Sequence, residues 1–121
     1  MRPISHTQIP IFLERFDNFI NAEIESAEIL SATEIKITMK LQDRARAFDW
    51  ISLSFIFSDV VDAQIPQESH LSFVDMSEGG SLLWSEQMFA FASSECYNAT
   101  SVKNSSLYII SKSLKYEENQ F

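Results

Sequence analysis

The chain has 121 residues, 45% of them hydrophobic, including ten Phe, three Tyr and two Trp. That is enough apolar material for one domain (1–121) that buries about two thirds of its unfolded surface without metal or disulfide staples. Nine Lys and Arg against 17 Asp and Glu leave a net charge of −8, a field that repels nucleic acid and anionic membrane and excludes both as expected partners.

Residues 7–20 read as a helix. Ile9, Phe12, Leu13, Phe16 and Ile20 recur at spacings of three and four, which gathers them on one side. Glu14, Arg15, Asp17 and Asn18 fill the other side, so the helix is expected to be amphipathic. Its polar face is mixed in charge, which favours core packing over membrane binding. Thr7 is the expected cap and Asn21 the expected stop.

Strands are expected next, at 22–30 and 34–42, joined by a hairpin turn at Ser31-Ala32-Thr33. The second is the clearest segment of the chain. Ile35, Ile37, Met39 and Leu41 alternate with Glu34, Lys36, Thr38, Lys40 and Gln42, the period of a strand with one buried face. A polar loop with Arg44 and Arg46 leads to a strand at 50–58, where Ile51, Leu53, Phe55 and Phe57 face one way. Residues 60–65 either continue it after a bend or form a separate strand, and Pro66 ends that segment.

Residues 71–76 read as a strand that turns at Gly79-Gly80 into a long bent strand at 81–92. Residues 93–106 are rich in Ser and Asn and read as an exposed loop. A last strand at 107–116 is followed by a polar tail from Glu117 to Phe121. No helical period occurs between residues 22 and 92, which disfavours parallel βαβ units. The expected class is α+β: an N-terminal amphipathic helix packed on a mostly antiparallel, curved sheet of about six strands.

Signatures of catalysis are sparse. Two glycines cannot build a phosphate-cradling loop, and one cysteine cannot build a thiolate zinc cluster. His6 lies in a polar N-terminal arm, and His70 follows Glu68 and Ser69 with no recognisable nucleophile beside it. Glu95 next to Cys96 disfavours a reactive thiolate. No catalytic residue, metal site or cofactor is therefore assigned. Arg44 and Arg46 can clamp an anion, but a solvated turn is the preferred reading of them. The single cysteine and the polar Met1 to Gln8 segment fit a cytoplasmic protein.

Charge distribution is more telling. No Lys or Arg lies between Arg46 and Lys103, while Asp49, Asp59, Asp62, Glu68, Asp75, Glu78, Glu86 and Glu95 do. Asp75 and Glu78 precede Gly79-Gly80, and Glu86 follows, so three carboxylates are candidates to gather at one hairpin end. Trp84 sits among them, where core packing competes with a role as an exposed anchor. Asp75, Glu78, Trp84 and Glu86 are the candidate partner-binding residues.

In size, charge and element order the chain resembles bacterial immunity proteins, which neutralise toxins by binding them. The resemblance implies a non-enzymatic protein-binding module, an immunity-like or inhibitory partner of a basic protein. The alternative is a small-ligand-binding or enzymatic α+β domain with an apolar pocket between helix and sheet. Association with a second copy of the chain is compatible with either.

Overall fold

The computed structural model describes residues 1–119. It is α+β: a mostly antiparallel, open seven-stranded sheet with a ten-residue helical segment near the N-terminus. The strands are β1 (Arg2–Pro3), β2 (Glu23–Ile29), β3 (Ile35–Asp43), β4 (Asp49–Gln64), β5 (Ser81–Ser85), β6 (Met88–Ala92) and β7 (Tyr108–Asn119). Their order is β2-β3-β4-β7-β6-β5, and β1 also pairs with β7. The helices are α1 (Ile9–Arg15), entered through a 3-10 turn at His6–Gln8, and α2 (Ala99–Val102). No helix among the described residues is long and apolar enough to cross a membrane.

The alternation read in β3 and β4 positions the core. Ile37 pairs with Phe55 and Met39 with Leu53 across the ladder, so both strands turn the same face inward. Ile37, Met39, Leu41, Leu53, Phe55 and Phe57 are fully buried. The turn at 31–33 joins β2 to β3 as expected, closed by the Leu30 N–H donating to the Glu34 carbonyl at 2.9 Å.

The helix is shorter than its period suggests. Ser5 stands at the cap position instead of Thr7, its N–H donating to Gln8 Oε1 at 2.9 Å. After Arg15 the backbone leaves the helix, and Asp17, Asn18 and Phe19 all take positive φ. That turn drives Phe19 into the core and leaves Ile20 part-exposed, the reverse of a continuous helix. Phe19 packs edge-on to Phe55 and Phe91, with ring centroids 6.0 Å apart in each case. Burial of one large ring outweighs the few helical residues lost.

Of the two alternatives for residues 60–65, continuation holds: they extend the strand at 50–58 as β4, which absorbs Val61 as a bulge between Val60 and Asp62. Other expectations change. Residues 71–76 are not a strand. A 3-10 segment, Glu68–Phe73, is pinned by buried Leu71, and Met76 is buried just beyond it. The Met76 carbonyl accepts from the Asn21 N–H at 2.8 Å, so this chain pairs with the turn before β2.

Gly79-Gly80 is no hairpin. Gly79 has φ +100°, a Cβ there would sit 2.7 Å from the Asn18 carbonyl oxygen, and one at Gly80 would sit 2.8 Å from the Ala92 carbonyl oxygen. Both glycines are required by close approach. The hairpin lies at Glu86-Gln87, with φ of 53° and 62°, and divides residues 81–92 into β5 and β6.

The Ser/Asn segment 93–106 is not simply exposed. It carries α2, capped by Asn98 Oδ1 accepting from the Ser101 N–H at 2.8 Å, and it buries Cys96, Val102 and Ser105. β7 extends through Glu117–Asn119, residues expected in the polar tail. The rest of that expected tail, Gln120 and Phe121, lies outside the described residues.

Phe55 sits at the centre of the ring cluster. Phe55→Ala is expected to lower stability by about 3–5 kcal/mol, measured by denaturant unfolding. An unchanged unfolding midpoint would show that this face is not the core.

Candidate functional site

The four sequence-chosen residues do not form one cluster. Asp75 is exposed, and its carboxylate accepts from the Ser77 N–H at 2.9 Å. That main-chain bond, aided by the Ser77 hydroxyl, lowers the Asp75 pKa. Glu78 lies near the start of β5, whereas Glu86 occupies the turn at its far end. Five strand residues at about 3.3 Å each separate the two ends by about 16 Å. No group of three or more His, Cys, Asp or Glu able to hold a metal ion occurs among the described residues.

Trp84 is 37% exposed. One face stacks on His6 at 4.7 Å and 14°, and its edge meets Phe89 at 4.9 Å. The indole is held by the polar arm that precedes α1, a contact no local pattern encodes.

A groove of about 300 Å³ runs along β5. Leu13, Asn18 and Ile20 line one side, Glu95, Cys96 and Tyr97 the other, and Glu78 lies with them. Its charged lining is acidic only. Tyr97 is strongly exposed and donates to Glu95 Oε1 at 2.6 Å, which raises the Tyr97 pKa. Glu95, one of the acids of the cation-free interval, and Tyr97 are not among the candidate partner-binding residues because their segment reads as an exposed loop. The absence of cations from residues 47–102 was the one available signal.

Other polar groups are satisfied within the protein. Arg46 Nε lies 3.3 Å from Asp43 Oδ2, and Arg44 lies 4.0 Å from Glu14, so both face carboxylates of their own chain. Cys96 is buried among hydroxyls, its Sγ 3.7 Å from Ser105 Oγ and its N–H donating to Ser81 Oγ at 2.7 Å. Among the described residues neither histidine hydrogen-bonds to a carboxylate, hydroxyl or thiol, so no nucleophile–base pair is assembled.

No family model, curated protein or solved structure matches the chain.

The most concentrated electrostatics lie at the other end of α1. Asp43 is fully buried. Arg15 grips it with two bonds, Nε to Oδ1 at 2.9 Å and a terminal nitrogen to Oδ2 at 2.7 Å. The same Arg15 reaches Glu118, which also accepts from Arg2 at 3.0 Å. The network ties β1, α1, β3 and β7 together. The Arg15 bond, together with the Ala45 N–H, holds the Asp43 carboxyl below its usual range.

A carboxyl lowered in the folded state contributes stability above its unfolded pKa of about 3.9 and loses it as pH falls through the folded value. Asp43→Asn should therefore cost about 3 kcal/mol at neutral pH, within the range for breaking a buried pair. The gap between variant and native protein should narrow as pH is lowered from about 5 toward 2, measured by urea unfolding across that series. A gap independent of pH would show that the charge of Asp43 contributes nothing.

Proposed function

We propose that the protein is a non-enzymatic protein-binding module, immunity-like or inhibitory in action, whose partner is a basic protein. The observation that carries this reading is the acidic groove along the start of β5. Glu78 and Glu95 line it, Glu86 stands in the turn after β5, and half-exposed Trp84 lies between. Long-range attraction by these carboxylates steers the encounter, and Trp84 and Tyr97 supply apolar contact once docked. Asp75 lies at the margin and acts through its charge alone.

The filled interior supports this reading over a small-molecule pocket. Phe12, Phe19, Phe55, Phe57 and Phe91 occupy the space between α1 and the sheet with ring centroids 5.7–6.4 Å apart. In this reading α1 is amphipathic, covers one face of a curved sheet, and leaves the β5 side free. We place the protein in the cytoplasm, where its single cysteine stays reduced.

The test is kinetic. A partner captured from the native cell should associate more slowly as salt rises, since the Debye length falls from about 10 Å at 0.1 M to about 3 Å at 1 M. Its off-rate should change little. Reversing Glu78 and Glu86 to Lys should slow association by about tenfold or more. Reversing Glu23 and Glu28, exposed on β2 at the opposite edge, should do much less. A salt-independent on-rate, or equal effects from both pairs, overturns the reading. His70→Ala and Cys96→Ser are expected to leave binding intact. Loss of function in either, with the fold retained by circular dichroism, points instead to chemistry at that residue.

A further inference from the structure

The sheet face turned away from α1 holds a cavity of about 510 Å³, within the range of about 300–1,000 Å³ that small-molecule sites occupy. The strand register builds its floor. Ala90 pairs with Ile110, and Ile110 with Asp62, across β6, β7 and β4, and residues directly opposite share a face. Phe89 and Phe91, the neighbours of Ala90 on β6, are turned into the core under α1, so the Ala90 row faces the other way. The bulge in β4 brings Val61 to the cavity beside Asp62. Met88, Ala90 and Ile110 form an apolar floor.

α2 closes one end of this floor. Its Val102 is buried in one cluster with Ala90, Ala92 and Tyr108, which seats Thr100 and Lys103 at the cavity. Asp62 fixes Lys103 there. Asp62 Oδ2 lies 3.4 Å from Lys103 Nζ, and Oδ1 accepts from the Tyr108 hydroxyl at 3.2 Å. An ammonium carries several donors, so the bond to Asp62 leaves others for a ligand. The turn between β5 and β6 closes the other end with Ser85 and Glu86. Among the described residues the Glu86 carboxylate and the Ser85 and Thr100 hydroxyls have no hydrogen-bond or ion-pair partner.

We propose that this cavity binds a small zwitterion whose cationic nitrogen and carboxylate stand at opposite ends of a short aliphatic chain. The carboxylate meets Lys103 and Thr100 at the α2 end. The cationic nitrogen meets Glu86 and Ser85 at the turn, and the chain lies on Met88, Ala90 and Ile110. Charge decides the class. Asp62 and Lys103 offset each other as a pair, so donors remain at one end and an acceptor at the other. A ligand with a single charge leaves one end unmatched. The floor from Met88 to Ala90 alone spans about 7 Å of strand, so charges carried on one carbon, as in an α-amino acid, match it less well. The site lies on the face away from α1 and goes beyond the protein-binding reading, and its test needs no partner protein.

Four probes of equal carbon number test the proposal by amide NMR titration of the native full-length protein at low salt. They are 6-aminohexanoate, hexylamine, hexanoate and norleucine. 6-Aminohexanoate should shift the amides of Val61, Met88, Thr100 and Ile110 and bind at least about tenfold more tightly than each of the others. Equal binding of hexylamine removes the carboxylate contact at Lys103, and equal binding of hexanoate removes the contact at Glu86. Equal binding of norleucine, an isomer with both charges on one carbon, removes the end-to-end span. Each of these results overturns the proposal, as does the absence of shifts with 6-aminohexanoate. Glu86→Gln and Lys103→Met should each weaken 6-aminohexanoate about tenfold with the circular dichroism spectrum unchanged. Glu86 is exposed and unbonded within the chain, so its variant keeps the test decisive if Lys103→Met does not fold. Unchanged affinity in Glu86→Gln, or in a folded Lys103→Met, overturns the assignment.

Discussion

The contact between Phe19 and the rings of β4 and β6 organises the rest of the molecule. Phe19 reaches Phe55 and Phe91 only because the backbone from Asp17 to Phe19 runs through positive φ. That kink ends α1, aims the chain toward β2, and places the Asn18 carbonyl where Gly79 and Gly80 approach it. Left-handed backbone at non-glycine residues is costly. A buried aromatic cluster with edge-to-face geometry is a plain source of compensating energy. The start of β5, and hence the position of the groove beside it, follows from that approach.

A second constraint acts at the other end of α1. A fully buried carboxylate is stable only with its charge and lone pairs matched. Asp43 meets that demand through Arg15, Arg46 and the Ala45 N–H. The four arginines are thereby gathered at one end of the molecule, Arg2, Arg15, Arg44 and Arg46 all lying close to carboxylates there. The groove along the start of β5 is left with the carboxylates of Glu78 and Glu95, while Lys103 shares a cavity with Glu86 at the strand's far end. The polarity that supports a basic partner is thus tied to the internal pairing that stabilises the fold.

The two edges of the sheet express the same asymmetry. β2 is bulged and abutted by the segment after the 3-10 turn, so its main chain offers an irregular template. β5 is short and regular, and the groove beside it is lined by its first residues, Ser81, Leu82 and Leu83. Hydroxyl contacts from Ser81 to Ser94 and Cys96 hold the 93–97 segment as one wall of that groove. α1 and the turn after it form the other.

The alternation of Ile35 to Leu41 and of Ile51 to Phe57 was enough to place the core strands and their buried faces, because period-two patterning responds directly to a sheet with one apolar side. Length and charge bounded the domain, and the cation-free interval marked the side on which the acidic groove lies. Signals failed where structure is decided by distant neighbours. The Glu86-Gln87 turn lacks the Asn-Gly chemistry that advertises a hairpin, and pairing with β7 holds β6 in place beyond it. Residues 71–76 alternate like a strand, yet Leu71 anchors a 3-10 segment and Met76 the stretch just after it, and no strand pairs with either. Phe19 replaced Ile20 in the core because three-dimensional packing, not helical period, selected the residue that reaches Phe55. The groove joins Leu13, Glu78, Glu95 and Tyr97 from separate stretches of chain. Only the tertiary fold brings them to one edge, since side-chain proximity across such separations is set by strand order, which local sequence does not encode.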